Sequence, residues 1–183
     1  MKIREVIRRS VNEKNGHQRE IGRYWSSELY AIIKGYLKPE DFFKRQEIDL
    51  SGCQMILTGE AMEEKLRKLF EEQGIDFQAQ VKREIKINDE ITLVVQNDFE
   101  FSDFIIETKF PFKPVGNKIP ERYVYQLEAE YRASYKTIYL GVLSIPFDVR
   151  LIRYIPSQKR WQKIKRSLKS FHAQLKEIWK NKN

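Results

Sequence analysis

The stretch DFEFSDFIIETK, residues 98–109, decides how the rest of the chain is read. It opens on a carboxylate, breaks at Ser102-Asp103, climbs through Phe104-Ile105-Ile106 and ends on Glu107-Thr108-Lys109. Apolar and β-branched residues on both sides of a short polar break predict a hairpin. Side chains two apart in a strand share a face, so Glu107 and Lys109 point one way, and Thr108 points the other with Phe104 and Ile106. Across the turn, Asp98 comes near Glu107. Two carboxylates that close repel unless a cation lies between them, and buried charges need a partner or a metal. The alternative is a hairpin end in solvent, Lys109 forming a surface ion pair; for an isolated E-x-K that is the ordinary outcome.

Working toward the N-terminus, residues 20–45 carry Trp25, Leu29, Ile32, Ile33 and Tyr36 at helical spacing, interrupted at Lys38-Pro39. A helix is predicted to open at Thr58, with Met62, Leu66, Leu69 and Phe70 as its apolar stripe and Gly74 as its C-terminal stop. Residues 77–87 alternate, 91–95 form a short β-rich run, and 98–101 and 104–109 flank a tight turn. These read as three or four neighbouring strands, mostly antiparallel.

Toward the C-terminus, the prolines and glycine of 110–120 mark a loop, and Pro120 starts a helix running to about Tyr135. Residues 137–143 and 149–155 are β-rich, separated by Pro146. Residues 157–180 form the clearest helix, with Trp161, Ile164, Leu168, Phe171, Leu175 and Ile178 at alternating steps of three and four. The expected fold class is α/β (α+β), a mixed central β-sheet flanked by helices. The whole chain, 1–183, is expected to be a single domain. Residues 1–50 would be its N-terminal helical region and 157–183 a basic C-terminal helix.

Composition narrows the function. One cysteine, Cys53, and two histidines, His17 and His172, exclude a disulfide framework, a structural zinc site and a protein-held iron–sulfur cluster. Any bound metal is therefore expected to be a hard cation on oxygen ligands, Mg²⁺ or Mn²⁺. The absence of a Gly-rich phosphate loop argues against a nucleotide cofactor. A formal charge of +8 suits a polyanionic partner. No apolar run is long enough to span a membrane, and residues 1–14 lack the apolar core of a secretory signal, so a cytoplasmic protein is expected.

The order of these elements resembles the PD-(D/E)XK nuclease superfamily, in particular the RecB-like exonuclease branch that includes CRISPR-associated exonucleases. The residues that carry the resemblance are Gly59-Glu60-Ala61-Met62-Glu63 on a helix, Asp98, Glu107-Thr108-Lys109, and Tyr125-Gln126-Leu127 on the next helix. It implies a restriction-endonuclease-like core and a metal-dependent nuclease hydrolysing DNA phosphodiesters, of exonuclease type. Catalytic residues would be Asp98, Glu107, Lys109 and Gln126. Metal ligands would be Glu63, Asp98, Glu107 and the Thr108 carbonyl. The branch's Gln-x3-Tyr pattern is broken: Glu130 stands in the tyrosine's slot, and Tyr131 is rotated off the glutamine's face. The iron–sulfur cysteines of many CRISPR-associated members are missing as well.

Nucleic-acid contacts are expected from Lys113, Lys118, Arg122 and Tyr123, cations interleaved with aromatics. Tyr125 extends that set, and the basic face of the last helix (Lys159, Arg160, Lys163, Lys165, Arg166 and Lys169) is either a DNA approach surface or solvated charge. Two other functions stay open: a non-catalytic nucleic-acid-binding module on a degenerate nuclease fold, and a junction-resolving endonuclease, which would be a symmetric homo-oligomer. DNA repair, recombination, CRISPR adaptation and viral genome processing are all compatible pathways.

Overall fold

The computed structural model describes residues 3–14, 19–44, 47–111, 116–144 and 148–181. The elements run α1 (Ile3–Lys14), β1 (Arg23–Trp25), a 3₁₀ turn (Ser26–Glu28), α2 (Leu29–Lys34), a second 3₁₀ turn (Pro39–Asp41) and α3 (Leu50–Glu72). They continue with β2 (Gln78–Lys86), β3 (Thr92–Glu100), β4 (Phe104–Lys109), α4 (Glu121–Ser134), β5 (Thr137–Ser144), β6 (Asp148–Arg153) and α5 (Gln158–Lys180).

The six strands form one mixed sheet in the order β1-β3-β4-β5-β6, with β2 on the other edge of β3. β2 runs antiparallel to β3 from Gln78↔Glu100 to Lys86↔Thr92. On the opposite edge β3 is shared: β1 pairs with it in parallel through Val94, and β4 pairs antiparallel at Phe99↔Ile106 and Glu100↔Ile105. The sheet forks between these contacts. Asp98 lies on that fork, one step beyond the last β3–β4 pair, and the same register continued would set it opposite Glu107. β4 then pairs in parallel with β5, and β5 antiparallel with β6. The expected mixed sheet flanked by helices is present.

One core cluster joins α2, α4 and α5 to β1 and β3 through Tyr24, Leu29, Leu93, Val95, Ala129, Ile164, Leu168 and Leu175. A second joins α4 to β4, β5 and Tyr154 through Leu127, Ile105, Ile138, Leu140 and Val142. α4 belongs to both, so its inward face is fixed from two sides. α5 buries the stripe read from its sequence, and Ser157 caps its N-terminus.

Several boundaries differ from expectation. The helical spacing read from residue 20 onward includes a strand, Arg23–Trp25, because Thr92 N–H donates to Gly22 O at 2.7 Å and draws the segment alongside β3. α3 opens at Leu50, eight residues before Thr58. Asp49 caps it by accepting from Gly52 N at 2.7 Å, and Thr58 sits inside the helix with its hydroxyl donating to Gln54 O. Gly74 ends that helix as expected, at φ 64. The runs read at 91–95 and 98–101 belong to one continuous strand, β3, Thr92–Glu100. Pro146 lies outside the described residues.

Candidate active site

Glu107, in the middle of β4, is the anchor of the site. Its side chain is only 2% exposed. Oε1 accepts from Lys109 Nζ at 2.5 Å and from Gln126 Nε2 of α4 at 2.5 Å, while Oε2 is buried with no hydrogen-bond partner among the described residues. Burial, and then the negative charge of Asp98, push the Glu107 carboxyl up to about 7 against the pull of Lys109. Burial alone would lower the Lys109 ammonium, but Glu107 and Asp98 outweigh it and hold it above its ordinary value. Lys109 is therefore charged at neutral pH.

Asp98 is positioned from β4. Its Oδ2 accepts from Thr108 N–H at 2.8 Å and from Thr108 Oγ1 at 2.7 Å. The Thr108 hydroxyl thus reaches Asp98 across the fork. The strands part beyond Phe99↔Ile106, and the aspartate reaches across the fork to the β4 backbone. The expected part played by Thr108 was its carbonyl; the observed contacts use its N–H and hydroxyl.

Glu63 reaches the same cluster from α3. Burial, followed by repulsion from Asp98 and Glu107, raises its carboxyl to about 7. A cleft of about 220 Å³ opens onto Asp98, Glu107, Lys109 and Gln126, its other walls formed by Trp25, Ser26, Ser27, Gln80 and Gln96. On the other side of Lys109, a groove of about 620 Å³ runs between α3 and the start of α4, lined by Met55, Ile56, Glu63, Phe110, Pro111 and Tyr123 among others. Arg122 sits over the Tyr123 ring with Cζ 4.6 Å from the centroid, and Lys109 Nζ is 5.6 Å from it.

The structure therefore brings together Glu63, Asp98, Glu107, Thr108, Lys109 and Gln126, with Arg122 and Tyr123 beside them. Lys118 is exposed on the loop before α4, and Lys113 lies outside the described residues. Tyr125 is a correction: it is a core residue, 5% exposed, because its ring faces α5, where its hydroxyl meets Lys163 Nζ at 2.9 Å. That contact also takes one cation from the basic face of α5.

Several residues around the site were not read from the sequence, among them Gln80, Gln96 and Glu130. Gln80 and Gln96 line the cleft from β2 and β3. Glu130, one helical turn after Gln126, is fully buried, and neither carboxylate oxygen has a hydrogen-bond partner among the described residues. Burial, then the nearby charge of Glu107, hold its carboxyl well above the ordinary range. The departure at the Gln-x3-Tyr position was the one signal available for Glu130.

Among the described residues, no three His, Cys, Asp or Glu side chains are gathered into a preformed ion cage. The donor chemistry nevertheless fits a hard cation. All candidate ligands are oxygens, and the free Oε2 of Glu107 is a buried acceptor without a donor. Mg²⁺ is commonly held by one or two carboxylates while keeping several waters.

No protein family and no curated protein matches the sequence. Solved structures do match in shape. An alkaline exonuclease from Laribacter hongkongensis aligns with a TM-score of 0.63 at 13% identity, over 97% of this chain and 97% of that one. A phage-related exonuclease from Haemophilus somnus 129PT aligns at 0.57 and 13% identity, over 94% and 99%. SSO0001 aligns at 0.69 and 15% identity, over 96% and 87%. The Laribacter enzyme has also been solved in complex with dAMP, at a TM-score of 0.62. Among the described residues no helix is long and apolar enough to cross a membrane. The chain has the fold of the alkaline and phage-related exonucleases.

Proposed function

We propose that this chain is a divalent-metal-dependent deoxyribonuclease, an exonuclease of the PD-(D/E)XK type, RecB-like in the order of its motifs. The observation that carries the reading is Glu107. It is a buried carboxylate with one oxygen gripped by Lys109 and Gln126, the other unpartnered among the described residues, and Asp98 beside it on the fork of the sheet. A fold that spent these groups on stability alone would pair Oε2 as well.

Asp98 and Glu107 would hold Mg²⁺ or Mn²⁺, with the Thr108 carbonyl and Glu63 as further oxygen donors. A cation there supplies Lewis acidity, activating water and neutralising charge that grows on the phosphate. The protein's own groups do the rest. Thr108 fixes Asp98 through two hydrogen bonds, so that carboxylate is held before substrate arrives. Gln126 fixes Glu107 Oε1 from a second element. Lys109, charged at neutral pH, orients the attacking water or stabilises the developing oxyanion. The groove with Arg122, Tyr123, Phe110 and Met55 would carry the adjoining nucleotides, cations on phosphate and rings against bases. Repair, recombination and CRISPR-linked processing would all use such an activity.

A second reading is a non-catalytic binding module, favoured by the absence, among the described residues, of a preformed cage of three ligands. Incubating end-labelled linear and circular DNA, single- and double-stranded, with Mn²⁺, Mg²⁺ or EDTA separates the two. Cleavage that needs metal and is abolished by Asp98→Ala establishes the nuclease, and survival of circles makes it an exonuclease. Salt-dependent binding without cleavage under any metal leaves the binding module.

A further inference from the structure

We propose that Gln80 is a positioning residue of the cleft, holding the Glu63 carboxylate of α3 beside Asp98 on β3; the proposal rests on the metal-dependent reading of the site. Gln80 adopts φ 55, a left-handed conformation, inside a strand. Non-glycine residues seldom do so, and such strain persists where the surroundings enforce it, often at functional sites.

The strain falls at a telling place. The β2–β3 ladder contains Ala79↔Phe99 and Val81↔Asn97, and every other residue of β2 is paired. Gln80 is the one position missing, and the register sets it opposite Asp98. Register is the same on both sides of the gap, so no residue has been inserted and this is not a bulge. The ladder is broken at one residue, directly across from the candidate ligand on the fork.

Both ends of the Gln80 side chain are used. Its Oε1 accepts from Gln96 Nε2 on β3, and its Nε2 donates to Glu63 Oε2 at 3.3 Å. Gln96 fixes the amide, and the amide fixes Glu63. Glu63 needs such a hold, since it stands on a separate helix and both Asp98 and Glu107 repel it. A glycine would take the left-handed backbone without strain. A glutamine there ties the conformation to its amide.

The test is calorimetric titration of Mn²⁺ into the full chain without DNA, with melting temperatures, for the wild type, Gln80→Gly and Gln80→Asn. Gln80→Gly removes the amide but accepts the backbone. Its Mn²⁺ affinity is expected to fall about tenfold, the lower end for groups that orient metal ligands, while its melting temperature stays at or above that of the wild type. Asparagine also tolerates the left-handed region, and its shorter amide should recover part of the affinity. Wild-type affinity in Gln80→Gly overturns the proposal. So does a lowered affinity accompanied by a melting temperature well below wild type, which would make Gln80 structural. A wild-type chain that takes up no Mn²⁺ overturns the metal-dependent reading itself, and the proposal with it.

Discussion

Gln126 Nε2 of α4 donates to Glu107 Oε1 of β4 at 2.5 Å, so the helix and the strand that meet in the second core cluster also share one buried carboxylate. Replacing Gln126 by Leu removes the bond while keeping much of the volume. Glu107 then loses one of its two donors, and its carboxyl should rise further. On the proposed function, the DNA cleavage rate should fall roughly 10- to 100-fold, a loss typical of groups that orient metal ligands. The melting temperature should drop by only a few degrees, since one net hydrogen bond contributes about 1 kcal/mol. Steady-state cleavage and thermal melts on the same preparation check both.

Lys109→Met should be more severe for activity. Among the described residues the ammonium is the cation bonded to Glu107, and on the proposed function its charge would face the scissile phosphate. A loss of about 10²–10⁴ in cleavage rate is expected, comparable to removing one electrostatic stabiliser of a transition state. Stability should suffer less than for an ordinary broken buried pair, about 1–3 kcal/mol instead of 3–5. With a carboxyl already near 7, Glu107 can take up a proton when its partner is lost. Full activity in Lys109→Met would remove the lysine from the mechanism.

Much of this was legible in the sequence. The hairpin of 98–109, the stop at Gly74 and the stripe of α5 follow from short-range periodicity and turn chemistry, which local residues determine. β1 was not legible, because three residues, Arg23–Trp25, give no measurable alternation and their partner strand begins nearly seventy positions later. The start of α3 was hidden by Thr58-Gly59, which imitates a cap; the working cap at Asp49 has no capping-box acid three residues on. Asp98, Glu107, Lys109 and Gln126 could be named because their spacing is a motif. Gln80 could not, since an amide in a strand becomes informative only once its neighbours are known, and Glu130 showed only as a departure at the tyrosine's slot.

Glu130 gives a pH-dependent prediction. Its folded-state carboxyl is raised above the ordinary 4.5, so the folded protein holds a proton that the unfolded chain releases. Stability is therefore lost as pH rises above about 4.5. Glu130→Gln removes that titration at nearly constant volume. Relative to wild type, the variant should melt higher at pH 8 and lose that advantage near pH 4.5. Equal melting at both values would mean that Glu130 finds a counter-charge in solution.

His172 should act in the opposite sense. Its ring is buried against Tyr24, whose hydroxyl meets Nδ1 at 2.8 Å, with Glu90 and Lys176 on the solvent side. Burial lowers its pKa, and the pull of Glu90 only partly offsets this. Its contribution is present above about 6.5 and lost as pH falls below it, when the unfolded chain protonates first. The melting temperature of His172→Gln minus that of wild type should therefore rise between pH 7.5 and 5.5. A flat difference would mean that the ring charges in place.

Mn²⁺ itself should stabilise the fold. At pH 8 the apo site gathers Glu63, Asp98 and Glu107 with Lys109 as their neighbouring cation, and both glutamates are raised by burial first and then by the negative charge of Asp98. A cation bound there screens the repulsion and offsets the cost of burying the charged carboxylates. At a hundred times its dissociation constant it adds about 2.7 kcal/mol, provided that the unfolded chain does not bind it. For a chain of this length that is roughly 5–10 °C in melting temperature. Asp98→Asn should abolish most of the increment while leaving the apo melting temperature unchanged or higher, because it removes one of the repelling charges. A wild type whose melting temperature ignores Mn²⁺ at millimolar concentration would argue for the binding module, and any DNA affinity it kept would then have to come from the groove beside Tyr123.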